Sequence, residues 1–256
     1  LSPSLKKALA RLTGEQELPL PKMLTADLRP YQVKGYSWLS KNIDFGMGSI
    51  IADDMGLGKT VQVIAAIERL RERGDFANKF ALIAVPATLI TNWTRELRRF
   101  APEIRFFVYY GTKKTLPSAE NGAEKPDVII TSYGVARTAC RELGKLPLRL
   151  LIIDEAQAIS NPQSQLFKAV SRLQSDARIA MSGTPIENRL MEYWSIMQFA
   201  NPGLLGPASR FAKDFERPIE ERHDPDALAR FSLITAPFIM RHRKTDTSII
   251  TELPEK

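Results

Sequence analysis

The sequence predicts an α/β protein, a parallel sheet flanked by helices, with a helical appendage toward the C-terminus. Two observations carry this expectation. Short apolar, strand-like runs alternate with longer stretches of helical period, the order that builds βαβ units. One strand-to-helix junction, at residues 54–60, is a glycine-rich loop ending in Lys-Thr.

The expected strands are Ser49 to Ala52, Phe80 to Val85, Arg105 to Tyr109, Asp127 to Thr131, Leu148 to Ile153 and Arg178 to Ser182. Between the first two, Lys59 to Arg73 places Val63, Ile64, Ile67 and Leu70 on one face and stops at Gly74, which suits a left-handed C-cap. Ala87 to Phe100 spaces Leu89, Ile90, Trp93, Leu97 and Phe100 at threes and fours, leaving Arg95, Arg98 and Arg99 on the polar side. That spacing makes Trp93 a core residue. Asn161-Pro162 reads as an N-cap and first helical position, opening a helix through about Leu173 with Leu166, Phe167 and Val170 inward. Beyond Ser182 the strand signal fades, and Arg189 to Ala200, Pro207 to Glu216 and Asp226 to Ile234 read as helices punctuated by Pro202, Pro218, Pro225 and Pro237.

Composition excludes several classes. With 256 residues, 44% hydrophobic and 25% charged, the chain matches an ordinary globular protein rather than a disordered or fibrous one. No apolar run approaches the roughly 18 residues of a membrane span. A single cysteine, Cys140, excludes an intrachain disulfide and suits a reducing compartment, and two distant histidines, His223 and His242, define no metal cluster or hydrolase triad. The 36 basic against 29 acidic residues give a formal charge of +7. That charge permits attraction to a polyanion without requiring it.

The strongest local signal is Asp54-Met55-Gly56-Leu57-Gly58-Lys59-Thr60. Glycines there can turn backbone N–H groups toward phosphate oxygens, the following helix adds its positive dipole end, Lys59 can reach the β and γ phosphates, and Thr60 can hold Mg²⁺. Asp53 stands where the generic phosphate-loop pattern has its first glycine, so a plain glycine turn with a surface lysine remains open on this motif alone. A second signal is the apolar strand ending in Asp154-Glu155, whose tip should lie at the same sheet edge as the loop. Asp154 would hold Mg²⁺ and Glu155 would orient and deprotonate an attacking water. The bland alternative is an acidic helix start.

Together the residues resemble a known family. Asp154-Glu155-Ala156-Gln157 is similar to the box that names superfamily-two DEAD/DEAH-type helicases, and Ser182-Gly183-Thr184-Pro185 to their third motif. Leu28-Arg29-Pro30-Tyr31-Gln32 with Gly35 and Trp38, and Ala52-Asp53-Asp54 running on into the glycine loop, resemble Swi/Snf-type DNA translocases and chromatin remodellers, where an aspartate at the first-glycine position is normal. Further similar blocks include Thr131-Ser132-Tyr133, Asn201 to Gly206, and Pro237 to Arg241, so the resemblance covers the chain from about Pro21 onward.

The resemblance implies the first of two RecA-like lobes of a double-stranded-DNA-dependent ATPase, with ATP and Mg²⁺ as cofactors. It gives Gln32 to adenine recognition, Gly56 to Thr60 to the triphosphate, Asp154 and Glu155 to magnesium and water, and Gln157, Ser182 and Thr184 to coupling. Pro86, Asn92, Thr131, Ser132 and Tyr133 would fall along the nucleic-acid track, gripping phosphates without reading bases. The expected organisation is an N-terminal helix and linker over 1–21, the lobe over 22–188, its helical appendage over 189–240, and the start of a linker to a second lobe over 241–256. The chain, opening on Leu1, is expected to be an excised, monomeric piece of a longer protein, nearly inactive without the arginine fingers of the second lobe, which are worth about 10³–10⁵ in rate. It would sit in the nucleoid or the nucleus, the former favoured by the absence of lysine-rich insertions. The other function classes are a non-catalytic nucleic-acid-binding or interaction module and a P-loop kinase or GTPase, the latter opposed by the Gln32 block.

Three departures from the family pattern stand out. Gln157 replaces a histidine, Ser160 stands where a lysine is expected, and His242-Arg243 interrupt an Arg-Arg-Thr-Lys pattern.

Overall fold

The computed structural model describes residues 17–111, 115–117, 125–183 and 189–246. The expected 1–21 helix therefore lies mostly outside the described residues, as do Thr184 and the 247–256 part of the expected linker.

Seven parallel strands form one sheet in the order β3-β4-β2-β5-β6-β1-β7. They are β1 Ser49–Ile51, β2 Phe80–Val85, β3 Phe106–Tyr109, β4 Val128–Ser132, β5 Leu148–Ile153, β6 Ser175–Met181 and β7 Ile239–Met240. The helices that matter below are α1 Pro30–Asp44, α2 Lys59–Glu72, α3 Ile90–Phe100, α4 Tyr133–Thr138, α5 Cys140–Leu143, α6 Gln165–Arg172, α7 Leu190–Ala200, α8 Ala208–Phe211, α9 Arg217–Arg222 and α10 Pro225–Thr235. Alternation along each strand splits the core into two layers. Ile83, Val85, Ile130, Ile152 and Ile179 face α1, α2 and α3, with Tyr36, Ile64, Ile67 and Trp93. Leu82, Ala84, Ile129, Leu151 and Ile153 face the other side, with Phe167, Trp194, Phe199 and Phe211. A sheet covered on both faces reads as continuous apolar runs, which is why β2 and β5 were legible.

Helices α1, α4 and α5 were not expected, and four further elements differ from expectation. Asn161-Pro162 does not open α6. Asn161 instead accepts a hydrogen bond from the Gln163 amide at 2.8 Å, forming a local turn, and Ser164 caps the helix by accepting from Phe167 N at 3.1 Å. Strand β6 begins at Ser175 rather than Arg178. Arg178 lies buried inside it because its guanidinium donates to the carbonyls of Leu173 (2.6 Å) and Phe199 (2.9 Å), which compensates burial of the charge. Pro218 does not end the second of the expected C-terminal helical stretches. A π turn over Ala212–Glu216 widens the backbone just before it, and Pro218 enters α9 within its first two positions, where no N–H is required. Finally, β7 was not expected at all. It returns the appendage to the sheet, pairing Ile50 with Ile239 and Ile51 with Met240.

Candidate nucleotide site

The strand order places the tips of β5, β6 and β1 side by side, so the loops that follow them share one edge. Gly56 (φ 84°) and Gly58 (φ 78°) take left-handed backbone conformations open to glycine at no steric cost, and Gly58 directly precedes α2. A Cβ at Gly58 would come within 2.3 Å of the Gln32 Nε2, so side chain and loop are in close contact. Gln32, on the first turn of α1, donates from Nε2 to the Leu57 carbonyl at 3.1 Å, and Tyr31 donates to the same carbonyl at 3.0 Å. The block expected to recognise adenine therefore clamps the phosphate loop.

The Lys59 ammonium is held by the loop's own backbone, donating to the Asp53 carbonyl at 2.7 Å and the Asp54 carbonyl at 3.2 Å. Burial lowers its pKa, while the carboxylates of Asp53, Asp154, Glu155 and Asp54 pull it back up. In the all-parallel sheet the loop after β1 and the Asp154-Glu155 tip of β5 lie at one edge rather than at opposite ones, near enough for those carboxylates to act on the Lys59 charge. Burial likewise pushes the Asp154 carboxyl above the usual carboxylate range, against the Trp93 indole, the Glu155 amide and the Lys59 ammonium. Asp154 accepts from Trp93 Nε1 at 3.0 Å and from Glu155 N at 2.9 Å.

Glu155 sits in the left-handed region at φ 55°, a strained conformation for a non-glycine residue. Gln157 Nε2 donates to its carboxylate at 2.6 Å, and Ser182 Oγ donates to Gln157 Oε1 at 3.3 Å. Gln157 and Ser182 are therefore joined in series to Glu155. A Cβ at Gly183 would meet the Met55 side chain at 2.9 Å, so the β6 loop lies directly against the phosphate loop.

Sequence reasoning missed what Asp53 and Asp54 do. Asp53 is fully buried and accepts through Oδ1 from the His242 amide at 2.8 Å, with the His242 ring Nδ1 at 3.0 Å from the same oxygen. Asp54 accepts from Lys244 N at 2.9 Å, and its own N–H donates to the His242 carbonyl at 3.0 Å. The segment after β7 is thus a strap bound along the base of the phosphate loop. The hydrogen bond to Asp53 raises the His242 pKa above 6.5, opposed by burial and Lys34 and reinforced by Asp246. Because the folded value is the higher one, the charged pair stabilises fully below about pH 6.5 and its contribution fades as pH climbs through the folded value. Replacing His242 with glutamine should therefore lower the urea midpoint at pH 6, by about 1–3 kcal/mol of stability, and much less at pH 9. An equal loss at both values would exclude the charged pair.

The residues expected along the nucleic-acid track are less uniform. Pro86 leads into an exposed turn at Ala87 and Thr88, at the tip of β2. Asn92 bonds within its own helix, to Arg95 at 2.5 Å and Glu96 at 2.9 Å. Thr131 is fully buried, and its hydroxyl donates to the Tyr109 carbonyl at 2.8 Å. Ser132, 4% exposed, caps α4 by accepting from Val135 N at 3.2 Å. Tyr133 turns its hydroxyl inward to the carbonyls of Asp154 and Glu155.

A parallel sheet, a glycine loop with its lysine after β1 and an acid pair at the tip of β5, two strands away rather than on the neighbouring strand, define a RecA-like P-loop NTPase lobe. The chain belongs to the SNF2-related domain family, whose profile residues 31–256 match. It superposes on the Sulfolobus solfataricus SWI2/SNF2 ATPase core in complex with dsDNA with a TM-score of 0.85 and 42% identity, over 93% of this chain and 49% of that one. It is 37% identical to YwqA of Bacillus subtilis, whose name describes an ATP-dependent helicase/translocase, over 100% of this chain and 28% of YwqA. The chromatin-remodeling ATPase INO80 of Kluyveromyces lactis is 33% identical over 95% of this chain and 17% of INO80. The chain thus spans about half of the archaeal core and a smaller part of these relatives. Among the described residues, no helix is long and apolar enough to cross a membrane.

Proposed function

We propose that this chain is the ATP-binding first lobe of a double-stranded-DNA-dependent ATPase that translocates on DNA or remodels protein–DNA complexes. The observation that carries the reading is that Lys59 and the Asp154-Glu155 pair share one sheet edge, within a fold shared at 42% identity with an ATPase core in complex with dsDNA.

The residues fit a magnesium nucleotide. Among the described residues no cluster of three or more His, Cys, Asp or Glu could hold a metal by itself. Mg²⁺ keeps waters and substrate phosphates and takes only one or two carboxylates from protein, and the tip of β5 supplies the Asp154-Glu155 pair. Thr60 and Asp154 would hold it, and it would supply charge neutralisation at the phosphates. Residues 54–60 would bind the triphosphate through loop amides and Lys59, and Gln32 would contact adenine. Glu155, fixed by Gln157, would accept a proton from the water that attacks the γ phosphorus, with ADP as leaving group. Gln157 and Ser182, with Thr184, would relay the state of the site to a second RecA-like lobe.

The test is phosphate release by the full-length polypeptide that contains this chain, with and without duplex DNA. Hydrolysis of ATP stimulated by duplex is expected. Hydrolysis absent, or indifferent to duplex, would overturn the reading.

A further inference from the structure

We propose that Tyr133 and Trp93 are positioning residues that tie the two segments flanking the nucleic-acid face directly to the catalytic acid pair. The inference rests on the ATPase reading above and deepens it by naming how duplex binding would reach the site. The sheet runs β4-β2-β5: Trp93 lies in α3, the helix that follows β2 beside β5, and Tyr133 directly follows β4, one strand further out. Each side chain points away from solvent and toward Asp154-Glu155.

Trp93 is fully buried, and its indole N–H donates to Asp154 Oδ2 at 3.0 Å. The indole body is locked among Ile90, Leu97 and the apolar face of α2, so a shift of α3 carries the Asp154 carboxylate with it. Tyr133 grips the backbone instead. Its hydroxyl contacts the Asp154 carbonyl and lies 3.2 Å from the Glu155 carbonyl. A phenol has one proton to donate, so these two carbonyls compete for it. Between them lies the one peptide unit whose strained left-handed geometry at Glu155 sets where that carboxylate points. Burial keeps the phenol protonated, so it remains a donor. The Tyr133 ring also starts α4, next to Ser132 and the exposed Gly134. Displacing this segment by a bound duplex would favour one carbonyl over the other and re-aim Glu155.

The experiment uses the full-length polypeptide, with Tyr133→Phe and Trp93→Phe, each of which keeps an aromatic ring and removes one donor. The dissociation constant of a non-hydrolysable magnesium-ATP analogue is measured with and without saturating duplex, alongside duplex affinity and the melting midpoint. In the unaltered protein, duplex should change nucleotide affinity by a factor of roughly 5–150, the usual size of a coupling between sites. In both variants that factor should collapse to within about twofold of one while duplex affinity moves by less than about twofold. A merely structural role would lower the melting midpoint and leave the factor intact, which overturns the inference. Loss of the factor together with duplex affinity overturns it too. If one variant unfolds, the other decides. No linkage in the unaltered protein would overturn this inference alone, whereas the ATPase reading falls only if hydrolysis is absent or indifferent to duplex.

Discussion

Alanine at position 59 is expected to weaken ATP binding by about 10- to 100-fold and to lower duplex-stimulated hydrolysis by a further 10² or more. The Lys59 ammonium already sits in a polar socket, held by two loop carbonyls and faced by four carboxylates. A triphosphate would replace those carbonyls with charge-assisted contacts, each worth about 1.5–3 kcal/mol. Removing the ammonium also leaves Asp154 and Glu155 without the cation that opposes their mutual repulsion. Glutamine at 155 should behave differently. It retains the shape and a partner for Gln157 while abolishing the acceptor for the water proton, so nucleotide should still bind while turnover falls about 10²–10⁴-fold. The measurement is titration of nucleotide together with steady-state phosphate release in the full-length polypeptide. Turnover unchanged in either variant would remove these residues from the chemistry.

Alanine at position 48 should cost more stability than any substitution at the exposed loops. Gly48 is buried between α1 and β1, and a Cβ there would lie 2.0 Å from the Ala200 carbonyl oxygen and 2.5 Å from its carbon. Both are backbone atoms at the end of α7 and cannot rotate aside. The contact is tight because Asn201 clamps Gly48 from both ends, accepting from its N–H at 2.8 Å and donating to its carbonyl at 3.1 Å. A methyl group must therefore push α7 off the sheet and break that clamp. A loss of about 3 kcal/mol or more is expected, read as a fall of roughly 6–12 °C in the thermal midpoint. A midpoint within about 2 °C of the unaltered protein would show that α7 can move without penalty.

The legible parts of the fold were those with a local cause. Strands β2 and β5 announce themselves because both faces are buried, and α2 and α3 because their apolar residues recur at threes and fours. The illegible parts were settled by partners elsewhere. Arg178 looks like a strand boundary until the Leu173 and Phe199 carbonyls accept its guanidinium. Asn161-Pro162 looks like a helix start until Ser164 is seen to hold the cap. The two residues of β7 carry no pattern at all; β1, nearly 190 residues earlier, makes them a strand.

The site divides along the same line. From the order of residues alone came the phosphate loop, the acid pair and their placement at one sheet edge, since glycine geometry and strand-to-loop sequence are properties of adjacent residues. Only the three-dimensional arrangement joined Trp93 to Asp154 across 61 residues, Tyr133 to the Asp154 and Glu155 carbonyls across 21 and 22, and His242 to Asp53 across 189. Those pairings depend on which strands lie side by side, and the β3-β4-β2-β5-β6-β1-β7 order is fixed by how the whole core closes rather than by any repeat along the chain.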